Sequence, residues 1–315
     1  MVITETSLEM NSTSLCRLSC CQAVTRFLAI VAFSFVGVIG YADRAFGEPL
    51  TVSHPFAALK TQLVQDGFDE TLIQSLYSRP EVSFDQRGIS AYFSHREAKL
   101  DYGQFLTRPS INQAIDYLGR NQKAFKRAQS TYGVEGEIIT AIILVETRLG
   151  TYIGKRLVLN TLSTLAALGD KDTRDSVWHA YLKNKVDRSK QQFESWASRK
   201  SAWAYGELKS YLTYTKAQGL DPLSMRGSFA GALGIAQFLP SSVLKFGKDG
   251  NRDGQINLFD HEDAIESIAS YLNQHGWRPS LTRNEAFRVI LYYNNSKYYA
   301  ETILKVSERL GKPRP

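Results

Sequence analysis

Ile138 to Glu146 reads IITAIILVE, a run of apolar and small side chains ending in one carboxylate. Burial disfavours the ionised form of a carboxyl group and raises its pKa. A glutamate held protonated near neutral pH can act as a general acid. Arg148, two positions on, favours ionisation, so an ion pair on a helix rim is the competing reading. No Asp or Glu close to Glu146 in the chain makes an obvious partner. A glycosidase that uses two carboxylates needs the second about 5–10 Å away, which another part of the fold would have to supply.

The stretch Gly227–Asp260, GSFAGALGIAQFLPSSVLKFGKDGNRDGQINLFD, joins two features. Its first half is a glycine-rich turn system ending in Gln237-Phe238-Leu239-Pro240. Its second half fits the twelve-residue calcium-loop template, with side-chain oxygens on Asp249, Asn251, Asp253, Asn257 and Asp260. Gly254 holds the sharp turn, Gln255 the backbone-carbonyl position and Ile256 the apolar one. Asp260 stands where Glu is usual, which predicts weak binding of calcium or sodium in a structural role. Together the halves suggest a backbone-lined groove for a large polar ligand, braced by a cation. Tyr292-Tyr293-Asn294-Asn295-Ser296 gathers amides and phenols in one turn, which is also an ordinary helix N-cap sequence. His54, His95, His179, His261 and His275 have no metal-ligand spacing, and no nucleophile elbow, Walker loop or HExxH is present.

The elements that must position these residues read as helices. Short helices are expected over 56–65, 69–76 and 160–168, with a longer one over 111–132. A helix over 135–148 carries Glu146 and stops at Gly150 as a left-handed cap. Residues 81–108 read as irregular. The charged segment 169–201, with Trp178, Tyr181, Phe193 and Trp196 at helical intervals, reads as one or two surface helices. Further helices are expected over 203–216, over 261–275 capped by Asp260, after the capping box Thr282–Glu285, and over 297–310. Alternating strand patterns are scarce, so the fold class is all-α, mainly helical, with at most a small sheet.

The 315 residues can bury a sizeable core, and 43% hydrophobic with 22% charged suits a globular protein. Phe27–Ala42 is unbroken apolar sequence behind Arg17 and Arg26, the order of a secretory signal. It is short for a membrane span, which needs about 20 apolar residues. Residues 1–47 are therefore expected to be a signal peptide or N-terminal anchor, and 48–315 the working domain, exported to the periplasm. Cys16, Cys20 and Cys21 all precede the apolar run, so a cleaved chain would have no thiol chemistry. Residues 1–48 hold three Arg and four acidic residues, leaving a net +8 on the remainder. Such a charge suits an anionic partner such as cell-wall polymer, while the scatter of basic residues speaks against nucleic acid.

These motifs resemble the lytic transglycosylase B family of bacterial murein-degrading enzymes (membrane-bound lytic transglycosylase B-like). Val145–Gly150 resembles its catalytic glutamate segment. Gly227–Pro240 resembles its Gly-Ser-x-Ala-Gly-Ala-x-Gly-x-x-Gln-Phe-x-Pro signature, and Asp249–Asp260 its EF-hand-like loop. Tyr293-Asn294 with Ser296 and Tyr299-Ala300 is similar to its C-terminal segment. The resemblance covers about 56–310. It implies a lysozyme-like helical fold and cleavage of the β-1,4 bond between N-acetylmuramic acid and N-acetylglucosamine, leaving a 1,6-anhydro end. Glu146 would be the catalytic acid and then base, with no cofactor needed for the chemistry. Ser228 and Asn294 would orient the saccharide, Gln237 would bond sugar, and Tyr293 would line the cleft. Arg199, Lys200 and Trp203 match a basic pair and aromatic used for glycan contact, here behind an insertion at 169–198. The connection Trp277–Asn294 is short where some members carry a small β-domain, so no peptide-stem preference carries over. The implied partners are peptidoglycan strands and cell-wall synthesis or division complexes, with membrane contact only through an uncleaved N-terminus.

Overall fold

Helices form where apolar residues recur on one face and a cap satisfies the first amides. In a computed structural model, which describes residues 55–94 and 101–311, the order begins with α1 (Ala57–Gln65), α2 (Glu70–Tyr77) and α3 (Gln86–Ser94). A 3-10 turn (Tyr102–Leu106), α4 (Arg108–Arg120), α5 (Gln122–Tyr132) and α6 (Gly136–Thr147) follow. Next come β1 (Arg156–Leu157), α7 (Val158–Ala167), α8 (Lys171–Val177), a π turn (Trp178–Leu182) and α9 (Lys190–Ala217). β2 (Arg226–Gly227), α10 (Pro240–Phe246), α11 (His261–Gln274), α12 (Arg283–Tyr293) and α13 (Lys297–Leu310) complete the described chain. The mainly helical class holds. The export segment expected within 1–47 lies outside the described residues. Among those described, no helix is long and apolar enough to cross a membrane.

α6 is the central element. It is apolar on every face and buried along nearly its whole length, as a helix enclosed by others must be. α13, α4, α5 and α11 pack around it. α7 lies along α9, and α9 also supports α10, where the Glu207 carboxylate accepts from the Ser241 amide at 2.9 Å and its hydroxyl at 2.8 Å. The only sheet among the described residues is antiparallel, pairing Arg156 with Gly227 and Leu157 with Arg226. Contact there is close enough to require glycine. A Cβ on Gly154 would sit 2.0 Å from the Gly227 carbonyl oxygen, and one on Gly227 would sit 2.1 Å from that of Ala232.

Four expectations need correction. Residues 108–132 form two helices, because the Asn121 amide turns back to the Tyr117 carbonyl at 3.0 Å and competes with the backbone. The segment 81–108 is not irregular throughout: Asp85 accepts from the Gly88 amide at 2.9 Å and opens α3. α9 starts at the capping box Ser189–Gln192, so 203–216 is the second half of a 28-residue helix. The aromatics of 169–198 also do more than decorate a surface. Phe193 is fully buried between Trp178 at 5.8 Å and Trp196 at 6.0 Å, both nearly parallel to it, with Phe93 of α3 at 5.5 Å. They form a small core of their own.

Candidate active site

Glu146 is carried on the last turn of α6 and is 2% exposed. Burial raises its carboxyl to a pKa of about 8, and the hydrogen bond from Tyr299 opposes that rise in part. The Tyr299 hydroxyl donates to Oε1 at 2.7 Å. Arg148 does not pair with it. The guanidinium turns outward to the Gln104 side-chain oxygen and lies over the Phe105 ring, 6.0 Å from its centroid. The reason is the backbone: Arg148, Leu149 and Gly150 have φ of 47, 62 and 88°, so the chain leaves α6 through three left-handed residues. Such strain in non-glycine residues costs about 1–3 kcal/mol each and clusters at functional sites. Gly150 was expected to be the cap, but Arg148 already occupies that position.

Tyr299 is fixed from below. Its ring stacks on Tyr293 with centroids 6.4 Å apart and planes at 7°. The Tyr293 hydroxyl donates to the Ala236 carbonyl at 2.5 Å, joining α12 to the glycine-rich loop. Burial pushes both phenols well above the ordinary tyrosine range, with the Glu146 charge adding to it. Sequence reasoning did not single out Tyr299 as a Glu146 partner. The available signal was its place three residues after Ser296, whose hydroxyl caps α13 by accepting from the Tyr299 amide at 3.2 Å. The N-cap reading of 292–296 thus holds for Ser296. Asn294 is the buried C-cap of α12, and its amide N–H donates to the Ile290 carbonyl at 3.1 Å.

The loop from Gly227 to Pro240 folds inward, with Ala230 to Pro240 all buried. The Ser228 hydroxyl accepts from the Ala230 and Ala232 amides at 3.2 and 3.0 Å. Gln237 sits at φ 49°, and its side-chain amide donates to the Gly234 carbonyl at 2.8 Å and that of Ile153 at 3.4 Å. Both residues therefore direct polar atoms to shaping the loop. Thr147, beside Glu146, donates to the Ile235 carbonyl at 3.2 Å. The Ile235 amide in turn donates to the Leu258 carbonyl at 2.7 Å. One residue, Ile235, thus links α6 to the acidic loop.

Lys200 and Trp203 face the same loop through α3. The Lys200 ammonium donates to the Tyr92 hydroxyl at 2.6 Å and lies 4.6 and 4.9 Å from the Tyr92 and Trp203 ring centroids. Burial, with Arg199 adding repulsion, lowers its pKa to about 8. Tyr92 meets Phe229, the neighbour of Ser228, at 5.3 Å. Arg199, the residue before Lys200 on α9, is exposed. Tyr92 was hidden in the segment expected to be irregular.

In the acidic loop, Asp249 accepts from the Asp253 and Gly254 amides at 3.1 and 2.8 Å, and Asn251 from Asp253 at 2.9 Å. The Asp253 carboxylate accepts from the Gln255 amide at 2.8 Å, and the Asn257 side-chain oxygen from the Phe259 amide at 3.1 Å. Asp260 caps α11 as expected: its Oδ1 accepts from the Glu262 and Asp263 amides at 2.8 and 3.3 Å. The first helical amides need an acceptor, and Asp260 supplies it. The carboxylate that enters the loop is that of buried Asp263, which accepts from Gly250, Asn251 and Asn257 amides at 2.8, 3.2 and 2.7 Å. Among the described residues no three His, Cys, Asp or Glu side chains converge as a finished metal site. The donor set is nonetheless all hard oxygen on a tight loop, which fits calcium chemically.

The chain matches the family model described as "Transglycosylase SLT domain" over residues 52–284. It is 35% identical over 174 residues to membrane-bound lytic murein transglycosylase B of Escherichia coli strain K12, a match covering 55% of this chain. The matched part spans 40% of that relative's length. The fold resembles soluble lytic transglycosylase SltB1 of Pseudomonas aeruginosa, with TM-score 0.66 and 24% identity over 81% of this chain and 97% of that one. Escherichia coli Slt35, solved in complex with calcium, gives TM-score 0.64 at 24% identity over 81% of this chain and 92% of its own. SltB3 of Pseudomonas aeruginosa, solved with NAG-anhNAM-pentapeptide, gives TM-score 0.64 at 19% identity, covering 81% of this chain and 78% of that one.

Proposed function

The chain belongs to the transglycosylase SLT domain family, and from that premise we infer that it is a lytic transglycosylase acting on peptidoglycan glycan strands. The observation that carries this reading is Glu146, a buried carboxyl held neutral at pH 7 and bonded to a single phenol. Only burial and Tyr299 set its pKa, and no other described carboxylate contributes. That suits a reaction needing one acid that becomes one base, in contrast to the paired carboxylates of common glycosidases.

In this mechanism protonated Glu146 gives its proton to the β-1,4 glycosidic oxygen as the bond to muramyl C1 breaks. The resulting carboxylate then takes the proton of the muramyl 6-hydroxyl as that oxygen bonds to C1. The product is a 1,6-anhydro end, no water is consumed, and Glu146 is again protonated. The substrate N-acetyl group supports C1 between the two steps. Tyr299 holds Oε1 and so leaves Oε2 for the proton. Ser228 and Gln237 shape the wall beside the saccharide, Tyr293 and Asn294 form its floor, and the Arg199–Lys200 pair with Trp203 and Tyr92 meets glycan further along.

The acidic loop is assigned a structural calcium ion, held by Asp249, Asn251 and Asp253 with Gln255 and Asp263, which would stiffen the wall without entering the chemistry. The N-terminal signal and net positive charge support export to the cell envelope and an anionic wall polymer as partner. Mass spectrometry of digested murein tests the activity. Saccharides lacking one water are expected, and they should vanish with Glu146→Gln. Reducing ends in their place would mean that water attacks C1, as in a lysozyme-type hydrolase. Binding without cleavage would leave a wall-binding protein.

A further inference from the structure

Glu207 is a buried carboxylate that the reaction does not use. It stands within α9, 6% exposed, and both of its oxygens accept from Ser241. One takes the backbone amide at 2.9 Å and the other the hydroxyl at 2.8 Å. Burial raises its pKa, the two Ser241 bonds lower it in part, and no cation enters that balance. Taking a carboxylate out of water without a cation is costly. The need for it arises at α10. The N-cap residue there is Leu239, whose side chain cannot accept, and Pro240 opens the helix. A helix is usually capped by a Ser, Thr, Asp or Asn at the N-cap position itself. Here the acceptor comes from a residue 34 positions earlier.

What Glu207 grips is the end of the glycine-rich loop. Gln237, shortly before Ser241, is at φ 49°, a conformation that persists only where the surroundings fix it. Beside it, the Phe238 carbonyl accepts from the Leu233 amide at 2.9 Å, and the Phe238 ring lies 5.8 Å from that of Tyr293. The Ala236 carbonyl accepts from the Tyr293 hydroxyl. Residues 236–238 thus hold Tyr293 by both ring and hydroxyl. Tyr293 in turn stacks on Tyr299, the donor to Glu146.

We propose that Glu207 is a positioning residue for cleavage. By anchoring Ser241 it keeps residues 236–238 against Tyr293, and so keeps Tyr299 bonded to Glu146. The proposal rests on the transglycosylase reading of Glu146 and adds to it a residue that touches neither substrate nor the reacting atoms.

The test is the pH profile of anhydro-end formation from soluble, uncrosslinked murein strands, measured per folded molecule of the full chain. A misplacement of about 1 Å can cost about 10²-fold, so Glu207→Ala should lower kcat by about tenfold or more. Its alkaline limb should also move to higher pH, because the bond from Tyr299 that favours the carboxylate is weakened. Glu207→Gln should restore both rate and limb. Its side-chain oxygen accepts from the Ser241 amide, and its NH2 donates to the Ser241 hydroxyl, which can act either way. Combining Glu207→Ala with Tyr299→Phe should move the limb no further than Tyr299→Phe alone, as for two residues acting through one bond. If Glu207→Ala does not fold, Ser241→Ala decides the matter. It lies at an exposed position, removes one of the two bonds, and should shift the limb in the same direction. The proposal falls if Glu207→Ala lowers only the melting temperature, leaving kcat and the limb in place. It falls equally if Glu207→Gln is as impaired as Glu207→Ala, or if the double variant shifts the limb further. Absence of anhydro ends from the parent would overturn the activity itself and this proposal with it, whereas an active parent with an indifferent Glu207→Ala overturns the proposal alone.

Discussion

At the residue scale, a single carboxyl is kept protonated by its surroundings. Its pKa of about 8 in the fold against an ordinary 4.5 means that the folded state binds the extra proton. The sign follows from linkage: the folded state loses stability relative to the unfolded as pH rises from about 4.5 towards 8. Glu146→Gln removes that cost. It should therefore raise stability in urea melts at pH 7 by on the order of 1–3 kcal/mol while lowering murein cleavage by about 10²–10⁴. A destabilised Gln variant would contradict the neutral-acid reading. Cleavage by the parent should fall as pH rises through about 8, because the acid is then spent. Tyr299→Phe removes the bond that favours the carboxylate, so its alkaline limb should move to higher pH. A purely structural tyrosine would leave that limb in place.

At the element scale, the glycine-rich loop transmits position between helices. Its peptides accept from Thr147 and Tyr293 and donate to Leu258, so α6, α12 and the acidic loop meet on residues 234–237. Gly234 is essential to this close approach. At φ 71° a Cβ would lie 2.5 Å from both the Leu258 Cβ and its carbonyl oxygen. Gly234→Ala should cost about 1–3 kcal/mol in chemical denaturation. Cleavage should fall further than that loss of folded protein explains, since the loop holds Thr147 and Tyr293. The aromatic core of the 169–198 segment can be judged in the same experiment. Phe193→Ala should cost about 3–5 kcal/mol if those rings are a true core, and under 1 kcal/mol if they merely cover a surface.

At the scale of the whole molecule, three bodies of structure meet on the glycine-rich loop: the α6 bundle, the α7–α9 pair and the acidic loop with α11. The last is joined to α5 through Arg127, which pairs with Glu262 and Glu266 and donates to the Gly250 carbonyl at 2.9 Å. A cation in the loop would tighten a joint that already connects to Leu258 and the glycine-rich loop. Calcium should raise the melting temperature of the parent, and Asp253→Ala should abolish that rise. Asp263→Ala should do the same while also destabilising the metal-free protein, because three backbone amides lose their acceptor. Asp260→Ala should instead cost about 1 kcal/mol as a lost helix cap, with the calcium response retained.

Much of this was legible in the chain because it is local. Apolar periodicity, the Thr282–Glu285 capping box and Ser296 marked helices whose ends depend on side chains within four residues, and the run into Glu146 announced a buried carboxyl. The sequence stopped short where a local signal had two uses. Asp260 fits a loop ligand and a helix cap equally well in one dimension; its Oδ1 is the cap of α11, and only the direction of α11 brings Asp263 into the loop. The same holds for Arg148, two residues from Glu146 in sequence but turned away by three left-handed residues. Tyr299, Tyr92 and Asn160 depend on partners 153, 108 and 79 positions away. Contacts of that range leave no periodicity behind. They are decided when the helices pack, because it is packing that removes water from Glu146 and leaves one phenol to face it.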